Sequence, residues 1–199
     1  MKQKPVTAGR PREFDRDAAL HIAMKLFCKH GYEGVSIADL TAAMNISPPS
    51  LYAAFGAKEA LFREALALYQ QRPDLPQLAA SGCIREQMKA LLYDTVRAAT
   101  DPEFPAGCMV SAGMLACRPE HQVLAESIAD MRAARCDMIA QHLQKAVASG
   151  GLPPETDTKS IGRYVMAVAQ GITIQAHDGA RAEELFALVD VALQNWPGA

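Results

Sequence analysis

Five cysteines (Cys28, Cys83, Cys108, Cys117, Cys136) and five histidines (His21, His30, His121, His142, His177) are the side chains of this 199-residue chain best suited to covalent or metal chemistry. Their spacing argues against most of it. No cysteines stand as CxxC and no histidines as HxxxH; Cys117 and His121 are four apart, but Pro119 interrupts any helix between them. An odd cysteine count in a chain of this length reads as reduced thiols, not a disulfide framework. No metal site and no cofactor are expected. Cys108 follows Pro105 and Gly107 near an expected helix start, a setting that stabilises a thiolate. With Cys108 and Cys117 on one helix, nine residues hold them ~13.5 Å apart, beyond the ~7 Å that a disulfide tolerates. Two inert buried thiols are the plainer account. GxSxG, GxGxxG, P-loop and HExxH patterns are absent, and no nucleophile–base pairing stands out among the acids, so no enzyme is expected.

The informative chemistry lies instead in residues 36–58, where hydroxyls, small apolar groups, a phenol and a cation follow two helix caps. Ser36 caps a helix over 36–44, with Asp39 at the capping-box position. Asn45 tolerates the left-handed turn that follows. Ser47 caps the next helix, 47–55, and Pro48 falls at its first position, where a missing N–H costs nothing. Ile37, Leu40, Met44, Ile46, Leu51 and Phe55 lock the pair. Ser47, Ser50, Ala53 and Ala54 are left facing outward. Two short helices on a tight turn behind a longer one have the spacing of a helix-turn-helix; the alternative is a plain helical hairpin inside a core.

The elements that position this pair follow from helical periodicity and breakers. Residues 1–13 read as a flexible basic arm, and 14–56 as a helix-turn-helix domain opened by a helix capped at Asp15 and stopped at Gly31. Residues 57–72 form a connecting helix. Residues 73–199 form a larger helical body, with helices expected near 82–100, 105–116, 120–149, 157–178 and 181–195. No strand alternation occurs, so the fold class is all-α. Half the residues are hydrophobic, enough for a core, and no apolar run approaches a membrane span. The N-terminus has no apolar signal-peptide core, and a cytoplasmic location is expected. Residues 1–72 carry ten Lys/Arg against seven Asp/Glu, and residues 73–199 ten against fifteen. A basic front on an acidic body suits an anionic polymer bound at one end, although the excess is small.

Residues 10–69 resemble the N-terminal domain of the TetR family of repressors. The resemblance is carried by Phe27–Gly31–Tyr32, by Ser36–Ile37, and by Leu51–Tyr52–Phe55–Lys58–Glu59–Leu61. The stretch GCMVSAGMLAC at 107–117 and the terminal QNWP are similar to a ComR-like branch. The resemblance implies phosphate contacts from Tyr52 and Lys58. It places Ser47, Pro48, Pro49, Ser50, Ala53 and Ala54 against bases or the groove wall, and Ser36 and Ile37 against the backbone. It also implies that Arg10 and Arg12 reach an adjacent groove or phosphates. The recognition helix lacks Arg, Lys, Asn and Gln, so readout rests on hydroxyls, methyl contacts, the arm or DNA shape. Asn45 stands where the family usually has Gly, and Thr41 where it has Ala. The branch includes copper-responsive members, which brings Cys117 and His121 forward; some relatives sense oxidants or electrophiles through a cysteine in this segment.

A helix-turn-helix protein reads a palindromic operator in double-stranded DNA best as a dimer. The resemblance implies a homodimer through helices 157–178 and 181–195, whose apolar residues include Ile161, Tyr164, Val165, Val168, Ile172, Leu185, Leu188, Val189 and Ala192. An inducer pocket is expected among the helices from 82 to 178. Its candidate lining is Met88, Leu92, Phe104, Cys108, Met109, Met131 and Met166, with Met114 and Met138; methionine suits an adaptable pocket and equally a filled core. The function expected is a DNA-binding regulator, a repressor released by a small-molecule inducer or a thiol-reactive signal. A hidden helical enzyme and a helical adaptor are the other readings.

Overall fold

The computed structural model describes residues 14–197 apart from Ala80, Ala112 and Asn195. The arm at 1–13, with Arg10 and Arg12, lies outside the described residues. Among those described there are eight α-helices and no strand: α1 (Arg16–His30), α2 (Ile37–Met44), α3 (Pro48–Phe55), α4 (Lys58–Gln70), α5 (Ile84–Ala99), α6 (Gln122–Ala148), α7 (Thr158–His177) and α8 (Ala182–Ala192).

The helix ends follow the caps. The Asp15 carboxylate accepts from the Ala18 N–H at 3.0 Å to start α1. Ser36 and Asp39 close a reciprocal capping box on α2. The Ser47 hydroxyl accepts from the Ser50 N–H at 3.3 Å, with Pro48 in the first turn of α3. Between them Asn45 takes φ 54°, ψ 48°, the left-handed conformation. Asn45→Gly is therefore expected to leave stability within a few tenths of a kcal/mol, while Asn45→Ala costs about 1 kcal/mol. The shift in urea midpoint at constant slope checks both.

Two apolar clusters hold these helices. The first packs α1–α4 around Phe27, Leu40, Leu51, Leu61 and Phe62, and takes in Cys108, Met109, Val110 and Met114 from the body. The Phe27 and Phe62 rings meet edge to face at 5.1 Å, and Tyr32 meets Phe62 likewise at 5.2 Å. The second packs α5 against α7 and α8 through Met88, Leu92, Val96, Val165, Ile172, Leu185 and Val189. Helix α6 joins the two. Its Leu124 and Ile128 belong to the first cluster and its Ile139 and Leu143 to the second. At 1.5 Å per residue its 27 residues span about 40 Å.

The helix expected over 105–116 does not form: the described residues there are turns and bends. The reason is backbone packing. Gly107 has φ +134°, and a Cβ on it would lie 2.3 Å from the Cys28 carbonyl oxygen at the end of α1. Gly113 accepts from the Tyr32 N–H at 3.3 Å. The segment is pressed flat against α1 and drops Met109, Val110 and Met114 into the first core. Cys108 is therefore not at a helix N-terminus, and the nine-residue rise between it and Cys117 does not apply.

The apolar residues expected on the faces of the last two helices divide. Val165, Ile172, Leu185 and Val189 are buried within the monomer, whereas Tyr164 is exposed, as are Ile174 and Val191 beside them.

Candidate functional site

Helix α3 turns one face inward through Leu51 and Phe55, both buried. Ser47, Pro48, Pro49, Ser50, Tyr52 and Ala53 are exposed together on the other, and Ala54 is half-buried. Tyr52 is 50% exposed. The Ser47 and Ser50 hydroxyls lie 2.9 Å apart and satisfy one another. On α2, Ser36 is exposed and tied into its cap, while Ile37 is half-buried against the core. Thr41 is buried, and its hydroxyl donates to the Ile37 and Ala38 carbonyls at 2.9 and 3.1 Å. An extra hydroxyl where a methyl would do is thus absorbed by the helix itself.

Arg16, which the sequence pattern does not single out, fixes the far end of α3. Its Nε donates to the Ala54 carbonyl at 3.2 Å, its guanidinium lies 4.5 Å above the Phe55 ring, and its outer nitrogen pairs with Glu64 on α4 at 2.7 Å. Exposed ion pairs contribute little. Here the pair orients a group that also accepts no alternative rotamer without losing the ring and the carbonyl.

Lys58 opens α4, whose cap, Ala57, offers no side-chain acceptor, so the first N–H groups of that helix await a partner. The ammonium sits 4.1 Å over the Tyr32 ring. Partial burial lowers its pKa from the ordinary lysine value, with Glu33 opposing and Arg118 reinforcing the shift. Tyr32 and Glu33 also face the body. The Tyr32 ring meets His121 edge to face at 4.8 Å, and Glu33 accepts from the Arg118 N–H at 3.0 Å. Lys58 thus shares neighbours with the segment 107–121.

That segment also forms one wall of a cavity of about 110 Å³ between α4, α5, α6 and α7. Cys108 and Met166 line it, and so does Met138. Met88, Leu92 and Met109, expected at a pocket, are instead fully buried core residues. On α5 the cavity takes the neighbouring stripe, Leu91, Thr95, Ala98 and Ala99. Periodicity identifies the apolar side of a helix but not which part of it faces a void. Met114 is likewise core, Met131 packs beside it, and Phe104 lies under Arg72, whose guanidinium is 3.4 Å from the ring centre. Sequence reasoning also missed Tyr69, Arg72, Arg135 and Thr173, because they come from α4, the turn after it, α6 and α7 with no shared motif.

At the cavity wall the Cys108 sulfur accepts from the Tyr69 hydroxyl at 3.2 Å and from the Ser111 N–H at 3.3 Å. Burial raises the Tyr69 phenol, with Cys108 adding to the shift. Nearby Cys28 is pushed up to about 12, first by burial and then by Cys108, so it stays a thiol. Cys117 is half-buried outside the cavity. Among the described residues no three His, Cys, Asp or Glu side chains gather to hold a metal, and no helix is long and apolar enough to cross a membrane.

This arrangement has close relatives. Residues 19–65 match the model of bacterial regulatory proteins of the tetR family, and residues 85–190 match the tetracyclin repressor-like C-terminal domain. The repressor ComR of Escherichia coli K12 is 35% identical over 193 residues, covering 95% of this chain and 92% of its own. The repressor BdcR of the same organism is 30% identical over 198 residues, covering 96% and 93%. Among solved structures, a cysteine-substituted variant of the TetR family regulator CifR, complexed with 26-base-pair operator DNA, superposes with a TM-score of 0.85. It is 42% identical and covers 95% of this chain and 100% of that one. The chain belongs to the TetR family and is a DNA-binding transcriptional repressor with a helix-turn-helix domain.

Proposed function

We propose that the protein is a homodimer that holds a palindromic operator and is released from it by a small-molecule inducer or a thiol-reactive signal. The observation that carries the DNA half is the outward face of α3. Ser47, Pro48, Pro49, Ser50, Tyr52 and Ala53 are exposed there, beside a helix α4 whose N-terminus is uncapped and bears Lys58. Tyr52 and Lys58 supply phosphate contacts, the latter with the help of the α4 amides. Ser47, Pro48, Pro49, Ser50, Ala53 and Ala54 meet the groove, Ser36 and Ile37 the backbone, and Arg10 and Arg12 extend the contact. None of the α3 side chains makes a bidentate base contact, so DNA shape and methyl packing carry much of the discrimination.

Release follows from the 107–121 segment. It walls the cavity at Gly107, Cys108 and Ser111, and it touches the turn between α1 and α2 of the DNA-binding domain at Tyr32 and Glu33. A ligand that moves the wall shifts the neighbours of Lys58 and changes how the domain is held. It releases the operator only if it binds the shifted state more tightly. The thiol-reactive form of this signal is favoured by one feature: Cys108 is the cysteine at the cavity, and an electrophile entering there meets its sulfur.

The test is binding of the purified protein to its own upstream intergenic DNA at two salt concentrations. The expected result is tight, salt-sensitive binding, weakened by about tenfold or more in Tyr52→Ala/Lys58→Ala, with the salt slope reduced by about 1 to 2. Binding unchanged by that double substitution would remove α3 and α4 as the interface.

A further inference from the structure

We infer that the cavity between α4, α5, α6 and α7 takes a small organic carboxylate with an apolar body, held by Arg135. The inference rests on the reading of this cavity as the effector site. Two cations and no carboxylate line it. One cation is already engaged: Arg72 pairs with Asp74 and lies flat on the Phe104 ring. Arg135 is half-buried and makes no hydrogen bond or ion pair among the described residues. Its neighbours one turn away on α6 are Met131, Arg132, Met138 and Ile139, so no acid on its own helix faces it.

The other polar side chains of the cavity are largely committed. The Thr95 and Thr173 hydroxyls donate to Leu91 and Ala169 carbonyls of their own helices, at 2.8 and 3.0 Å. The Tyr69 hydroxyl donates to Cys108. What remains to donate is the Arg135 guanidinium and the Ser111 hydroxyl. A planar fork of donors matches a carboxylate in two-point fashion, and a half-buried cation without a counter-ion gains most from an anion. The remaining wall, Leu75, Leu91, Ile139, Met166 and Ala169, takes apolar surface. The volume is of the same order as the ~150 Å³ that admits a benzene ring, which sets the body at one ring or a short chain. A phosphate monoester carries more charge than one free guanidinium and one hydroxyl satisfy.

The experiment titrates the full-length protein with benzoate, phenylacetate and hexanoate, and with the matched benzamide, phenylacetamide and hexanamide, by calorimetry at low salt. At least one acid is expected to bind about tenfold or more tightly than its amide. Arg135→Gln is expected to abolish that preference while keeping the melting temperature of the free protein. Equal binding of acid and amide, retention of the preference in Arg135→Gln, or no binding of any acid would each overturn the inference. Operator release is read separately on the same samples. An acid that binds through Arg135 without releasing DNA leaves the anion site standing and defeats the inducer reading instead.

Discussion

Ala167→Glu/Ile174→Glu is expected to leave the chain folded but monomeric and to lower affinity for a full palindrome by about a hundredfold or more. Helix α7 has two faces. Val165, Met166, Ile172 and Ala176 point into the monomer. Tyr164, Ala167, Gly171 and Ile174 recur at three, four and three residues on the other side, where Tyr164 is 45% and Ile174 43% exposed. A Cβ on Gly171 would meet nothing within 4 Å. On α8, Val191 is 63% exposed, and the Tyr164 hydroxyl donates to the Ala192 carbonyl at 2.8 Å, which joins the two helices into one surface. Small residues between larger ones let a second helix approach closely. A two-fold interface repeats every substitution, so four carboxylates would enter one apolar contact, each unpaired. A monomer then grips a single half-site and loses the gain from the second, ~34 Å away. Sedimentation reads the mass, circular dichroism the fold, and anisotropy the DNA affinity. A double variant that remains dimeric would place the interface elsewhere.

The N-terminal elements were legible because their signals are local. Asp15, Ser36 and Ser47 cap the helices they were expected to cap, and Asn45 makes the turn between α2 and α3. Each decision involves residues three or four apart. The 105–116 segment was not legible for the opposite reason. Its Met109, Val110 and Met114 have helical spacing, and what prevents the helix is contact with Cys28 and Tyr32, some eighty residues away in sequence. The outward face of α3 could be read because Leu51 and Phe55 fix the inward one. The cavity could not, since Tyr69, Thr95, Cys108, Arg135 and Thr173 converge from separate elements. Methionine content pointed to it only loosely: Met166 and Met138 line it, while Met88 and Met109 fill the cores. Arg135 gives no sign of itself in sequence, because its distinction is the absence of a partner rather than the presence of a motif.

Gly107→Ala is expected to destabilise the protein by about 3 kcal/mol or more, a large part of the ~5–15 kcal/mol that holds a domain folded. Two penalties combine. At φ +134° an alanine is strained whatever the space around it, and its methyl would stand 2.3 Å from a backbone oxygen of α1. A carbonyl ending a helix cannot swing aside as a flexible side chain can. Gly150→Ala separates the two terms: φ there is +77°, but nothing lies within 4 Å of the added Cβ, so only the conformational strain of about 1 kcal/mol remains. Urea unfolding of both variants gives the comparison, and equal losses would mean that the contact with α1 yields. The position also tests coupling. Gly107 touches α1 on one side and the cavity on the other, so a variant that keeps its fold by pushing the segment outward disturbs Cys108, the cavity and the Tyr32 contact at once. Its operator affinity should fall further than that of a Gly150→Ala protein compared well below both melting temperatures, because the contact that excludes a side chain at residue 107 also ties the DNA-binding helices to the cavity.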